Sequence, residues 1–283
     1  MHPTLIDLGT IFSIPIGIHS YGVMLATAFI TCSVMIQREL NRRGFQGEVA
    51  TAIVAAGAIG GILGAKIYYV LFIVEHFSIS DLFSPAGLVW YGGLIGGSAT
   101  ISWVIHRSPN PFLPTVDVIG PLLLLGYGIG RIGCLLAGDG DYGPPSDVPW
   151  AMAFPKGTVP TDVPVHPTPI YETLISFTFF GILWSQRKKF TAIPGLLFGT
   201  SLVMLAVERF IVEFWRLTPR VFPESPSLSW FTSPQLVSII LFCFGIYFMV
   251  WMSKRPRVKV GIESETPEPE TVAPRPQKRR RRR

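Results

Sequence analysis

The chain has 283 residues, 49% of them apolar and only 15% charged, against about 25% charged in a typical soluble domain. That balance excludes an ordinary soluble enzyme and points to a polytopic membrane protein. The net charge of +6 does not imply a nucleic-acid-binding core, because eleven of the 24 Lys and Arg lie after Met252 and belong to a tail.

Seven apolar runs are long enough, or nearly so, to cross about 30 Å of hydrocarbon at about 1.5 Å per helical residue. They fall near 16–36, 50–73, 87–105, 113–137, 168–185, 193–213 and 234–252. The predicted fold class is therefore all-α, a polytopic integral membrane protein with seven transmembrane helices. Residues 1–252 form the membrane domain. Residues 253–283, basic at both ends and acidic and Pro-rich between, read as a disordered tail. The first fifteen residues carry no Lys or Arg, so they lack the n-region of a cleaved signal peptide, and the N-terminus is read as retained. Cys32, Cys134 and Cys243 sit far apart inside apolar runs, and no metal spacing or disulfide framework is readable.

Loop charge sets the orientation. The segments after the first, third, fifth and seventh runs hold 18 of the 24 basic residues. The loops on the other side hold Lys156, Arg216 and Arg220. By the positive-inside rule the N-terminus is outside and the C-terminus cytoplasmic. The long loop at 138–167, rich in Asp, Pro and Gly, is then outside, and long loops often carry function.

With the helices running in alternate directions, the polar residues within the runs still gather in the outer half. Tyr21, Lys66, Tyr68, Tyr69, Tyr91, Arg131, Tyr171, Glu172, Glu208, Arg209, Glu213 and Gln235 all belong to this set. Asp117, near the inner start of the fourth run, is the exception and is expected to snorkel to water. Arg131 lies in the stretch Gly126–Gly143, GYGIGRIGCLLAGDGDYG. An arginine at membrane depth costs about 2.5–3.5 kcal/mol on insertion scales. Helix packing explains the surrounding glycines but not the arginine. Arg209 and Glu213, at i and i+4, share a helix face and are expected to pair, whereas Arg131 has no partner nearby in sequence. Two arginines and a lysine from three helices predict a basic, outward-facing pocket for a phosphate, whose oxygens match the guanidinium fork. The competing reading is an internal ion-pair network, which the sequence predicts would leave a positive charge unpaired.

GRIGCLLAGDGDYG resembles the signature of the prolipoprotein diacylglyceryl transferases, and IHSYGVM, VWYGGLIGG, HPTPIYE and ERFIVEFWR fall in that family's order. The resemblance covers roughly residues 15–252. It implies a bacterial inner-membrane enzyme without a cofactor, with its active site towards the outer face. The implied reaction moves a diacylglyceryl group from phosphatidylglycerol to the lipobox cysteine thiol of a preprolipoprotein, releasing glycerol 1-phosphate. Nucleic acid is not among the implied partners. Arg131 and Arg209 match the family's arginines and are assigned to the phosphate, with Tyr91 as a third catalytic position. Tyr21, Gly92, Gly93, Gly143, His166, Tyr171, Glu172 and Glu213 are the implied substrate-binding residues. Tyr91 stands where the family commonly has a His proposed as base for the thiol. Cys134 replaces an Asn, and Ala137–Asp139 replaces an Asn-x-Glu. These departures bear on proton transfer, which Tyr91 as phenolate or His166 would have to perform. A transporter of a lipid or organic anion, or a catalytically inactive lipid-binding relative, are the alternatives.

Overall fold

The computed structural model describes residues 2–11, 14–74, 89–221 and 231–255. These residues contain seven α-helices: α1 Ser20–Arg42, α2 Val49–Phe72, α3 Trp90–Arg107, α4 Phe112–Ala137, α5 Thr168–Gln186, α6 Leu196–Val212 and α7 Ser233–Ser253. Each matches one apolar run. By length and composition, α1, α2, α4 and α7 can cross a membrane. Two antiparallel hairpins accompany them, β1 Thr4–Ile11 with β2 Ile14–His19, and β3 Met152–Phe154 with β4 Thr161–Val165.

The apolar side chains are distributed as in a protein solvated by lipid. Leu71 and Phe72 on α2 and Ile240 on α7 are 67%, 71% and 68% exposed. Burying such side chains in hydrocarbon is favourable, whereas leaving them in water costs about 1.5–3 kcal/mol each. α4 is the central helix: 61% of its most apolar stretch is buried, against 17% for α7. Around its first half lies a core of Ile36, Leu40, Ala50, Ile53, Ile105, Val118, Ile119 and Leu122. Leu124 continues this interior against Leu183 of α5 and Leu197 of α6.

α2 and α3 approach through glycines. A Cβ on Gly96 would lie 2.8 Å from the Gly64 Cα, closer than any side chain tolerates. Small residues four apart permit this approach, which gains dispersion contacts where lipid offers no hydrophobic drive. Gly92 is buried in the same contact, its α-carbon facing the backbone of Gly64.

Two expectations about the helices change. The first helix starts at Ser20 rather than 16, because residues 14–19 pair with β1, and it continues to Arg42. Its polar extension is held by Glu39, which is buried and bonded to Arg42, to Arg43 (3.0 Å) and to Arg187 beyond α5 (3.0 Å). Asp117 does not snorkel. It is buried, and its carboxylate accepts the N–H groups of Gly195 (2.7 Å) and Phe198 (2.8 Å) at the start of α6. A helix N-terminus exposes unsatisfied donors and a partial positive charge, so a carboxylate from a neighbouring helix satisfies both. The basic tail lies outside the described residues from 256 onward.

Candidate active site

The C-terminal half of α4, the start of α5 and the end of α6 meet at one end of the bundle. Glu172, in the first turns of α5, is the hub. Its side chain is 0% exposed, and three guanidiniums reach it: Arg131 Nε at 3.1 Å, Arg209 Nη1 at 3.5 Å and Arg216 Nη1 at 3.4 Å. The Tyr127 hydroxyl donates to Glu172 Oε1 at 2.8 Å, and the Arg131 guanidinium lies 4.8 Å from the Tyr127 ring centroid, a cation–π contact. Arg209 Nη2 is 2.8 Å from Glu213 one turn on, as the i, i+4 spacing predicts.

Asp141 closes the arrangement from the loop, ion-paired to both Arg131 and Arg216. Burial alone would raise its carboxyl pKa, but Arg131 and then Arg216 outweigh burial and hold it below the ordinary value. The loop reaches this position through a left-handed turn. Gly138 has φ 58° and donates to the Cys134 carbonyl at 2.9 Å, ending α4 in the conformation glycine adopts without steric cost. The N–H of Gly143 then donates to the His166 carbonyl at 2.9 Å, and a Cβ there would collide with the Trp215 carbonyl. Gly143 is therefore required for the loop to pass between the α5 and α6 ends.

The other sequence-predicted residues divide into two groups. Tyr171 and His166 lie beside the loop at Gly143 and Trp215, and Tyr21 lies against α4. The Tyr171 hydroxyl is 3.0 Å from His166 Nδ1 and accepts from Trp150 Nε1 at 2.7 Å. Tyr21 packs on α4 at Gly133, where a Cβ would be 3.2 Å from Tyr21 Cδ2. Tyr91, Gly92 and Gly93 sit on α3. The Tyr91 ring neighbours Tyr68 (6.4 Å) and Trp90 (5.5 Å), and its hydroxyl makes no hydrogen bond among the described residues. A Cβ on Gly93 would be 3.4 Å from the Gly61 carbonyl oxygen of α2.

The predicted net basic pocket is corrected. Arg131 does have a partner, Asp141, and every arginine of the cluster is ion-paired. Three guanidiniums meet four carboxyl groups once Glu208, 1% exposed, is included. Asp141 and Arg216 were not singled out by sequence reasoning as site residues. The only signal for them was an Asp in the glycine-rich stretch and a second Arg seven residues after Arg209. Lys66 is buried on α2, 5.9 Å from the Tyr69 ring centroid. Cys134, Asp139 and Asp141 bring three possible metal-ligand atoms within 4.8 Å of one another. Arg131 already occupies this set, bonded to Asp141 and 3.7 Å from Cys134 Sγ, and a guanidinium there repels a cation.

Beside Tyr127 an apolar cavity of about 300 Å³ opens between α1, α2, α3 and α4, lined by Leu25, Phe29, Cys32, Ile53, Ile101 and Gly126 among others. The cluster and an apolar cavity thus share one residue, Tyr127, whose hydroxyl faces Glu172 while its ring borders the cavity.

The family model described as prolipoprotein diacylglyceryl transferase matches residues 9–251. The chain belongs to this family. Proteins named phosphatidylglycerol–prolipoprotein diacylglyceryl transferase are its relatives over nearly their whole length. The one from Clostridium tetani is 30% identical over 254 residues, 87% of this chain and 96% of the relative. The one from Pseudomonas entomophila is 30% identical over 270 residues, 92% and 97% of the two chains. The Vibrio parahaemolyticus protein is 29% identical over 266 residues, 89% and 91%. The prolipoprotein diacylglyceryl transferase match covers the first six described helices and nearly all of α7, so the arginine cluster lies inside the family region.

Proposed function

We propose that the chain transfers the diacylglyceryl group of phosphatidylglycerol to the lipobox cysteine thiol of preprolipoproteins. The thiol sulfur attacks the diacylglyceryl carbon bearing the phosphate ester. A C–S bond forms, the C–O bond breaks, and its electron pair leaves on glycerol 1-phosphate. The observation that carries this reading is the convergence of Arg131, Arg209 and Arg216 on one fully buried carboxylate, beside an apolar cavity. The guanidiniums supply fixed donors where negative charge grows on the leaving phosphate, and such donors act strongly where water is scarce. The cavity suits an acyl chain.

Glu172 acts as scaffold, holding three like charges together at close range. Arg131 and Arg209 bind the phosphate, and Arg209 Nη1, buried without a hydrogen bond, has a donor to give. Asp141, at 32% exposure the most accessible carboxylate of the ion pairs, is the one a phosphate displaces. Tyr91, acting as phenolate, accepts the thiol proton and becomes the neutral phenol, so that the sulfur attacks as thiolate. Tyr21, Gly92, Gly93, Gly143, His166 and Tyr171 line or shape the substrate site, and Glu213 orients Arg209. The chain crosses the bacterial inner membrane seven times, with the N-terminus and active site outside, the C-terminus cytoplasmic and residues 253–283 a separate tail. The loop charge supports this orientation.

Complementation of a transferase-depleted bacterium tests the activity. It also separates the enzyme from a lipid transporter or an inactive relative, neither of which would restore growth. Reporter fusions within 138–167 test the orientation, and a cytoplasmic signal there would reverse it.

A further inference from the structure

Among the described residues, Glu208 is the carboxyl group of the cluster that forms no ion pair with an arginine. Asp141, Glu172 and Glu213 each form an ion pair with at least one guanidinium. Glu208 is 1% exposed, and its Oε1 has no hydrogen-bond partner. It nevertheless lies within electrostatic reach of Glu172, Arg131, Arg209 and Arg216. The charged and titratable groups around it come from α4, α5 and α6. α4 brings Tyr127 and Arg131 and α5 brings Glu172, while α6 and its following turn bring Arg209, Glu213 and Arg216. α7 brings no charged group within Ser233–Ser253, and its Cys243 and Tyr247 are exposed. Asp139, partly exposed on the loop, adds further negative charge nearby rather than compensating for Glu208.

The inventory gives three positive charges against four potential negative ones. A buried carboxylate with no ion pair and one oxygen left without a hydrogen bond is less stable than the neutral acid, so the surplus is removed by a proton. A phosphodiester entering the site brings another negative charge. Its binding is opposed if Glu208 is ionised and is supported if the cluster is neutral.

We propose that Glu208 is a positioning residue that carries a proton in the resting protein, and that this proton keeps the three arginines available to the phosphate of the lipid headgroup. The proposal rests on the transferase reading for its ligand, though not for the protonation itself. The proton stays on Glu208 during the reaction. Glu208 acts through the arginines and does not exchange a proton with the thiol.

The test uses the full chain in lipid nanodiscs. The KM for phosphatidylglycerol and kcat are measured separately against pH, for the wild type and Glu208→Gln. In the wild type, KM should rise by about tenfold per pH unit once the pH passes the point at which Glu208 ionises, as expected for one linked proton. Glu208→Gln, permanently neutral, should hold a low KM with no alkaline rise. A wild-type KM that stays flat while the carboxyl infrared band disappears with rising pH, or a glutamine variant that rises in parallel, overturns the proposal. The infrared carbonyl band of a protonated carboxyl at neutral pH provides a second readout, which Glu208→Gln and Glu208→Leu should each remove. Persistence of the full band in a folded variant overturns the proposal as well. Absence of transfer by the wild type would sink the transferase reading, while the infrared measurement would still decide the state of Glu208.

Discussion

Asp141 and Arg216 are 75 residues apart in the chain and joined by an ion pair. Through that pair the loop after α4 is fastened to the turn after α6. Because Asp141 also holds Arg131, one loop carboxylate ties together two of the three guanidiniums that Glu172 gathers from beneath. The site is thus closed from both sides by acids, one fully buried and one partly open.

If the arginines bind the phosphate, the fork matters as well as the charge. Arg131→Lys and Arg209→Lys keep the charge and lose the paired donors. Each should lower transfer of labelled diacylglyceryl to a lipobox peptide by roughly a hundred- to thousandfold, the cost of about 2.7–4 kcal/mol for a donor lost at a developing anion. Near-normal turnover in both variants would return the arginines to a structural role.

Tyr91 tests a different step. Tyr91→Phe should lose about a hundredfold in transfer, the scale of a missing proton acceptor, while phosphatidylglycerol binding survives. A mild loss would mean that Tyr91 only frames the site, and then Tyr91→His should match or exceed the wild type, since imidazole accepts a proton near neutrality.

Asp141 makes stability depend on acidity. Its folded-state pKa lies below the ordinary value of 3.8, so the stability it contributes is fully present above about pH 4 and is lost as pH falls through the lowered value. Asp141→Asn should therefore unfold at a lower temperature near neutrality, with the gap from the wild type narrowing in acid. Thermal melts at pH 7 and pH 3 check this, and a gap that widens in acid would contradict the assigned sign.

Asp117 should prove structural. Asp117→Ala leaves two donors at the start of α6 without a partner, and loss of such a cap costs about 0.5–2 kcal/mol. The expected result is a lower melting temperature in detergent with KM for phosphatidylglycerol unaltered, because Asp117 lies at the opposite end of α4 from Arg131. A raised KM at unchanged stability would mean that its influence extends to the headgroup site.

The tail carries eleven of the 24 basic residues. Deleting 260–283 should leave the transfer rate within about threefold at equal membrane abundance, since leaflet attraction of roughly 1 kcal/mol per basic residue anchors the chain without touching an outward site. A tenfold loss would show that the tail takes part in the reaction.

The sequence by itself determined the helices, because lipid requires each crossing segment to satisfy its own backbone and present apolar side chains. All seven apolar runs became α-helices, and Arg209 with Glu213 could be paired from spacing alone. The motifs located Arg131, Tyr171 and Glu172 for the same reason: charge and aromatic hydroxyls inside apolar runs stand out. Only tertiary structure decided what those charges do to one another. Asp141 looked like an ordinary loop acid until the turn at Gly138 carried it back to Arg131 and on to Arg216. Asp117 looked like a snorkelling side chain until α6 presented its N-terminus. The pocket expected to be basic became one in which every arginine is ion-paired for that reason. Electrostatic energy falls off with distance through space, not along the chain, and no local pattern records which loop carboxylate will come within reach of which arginine.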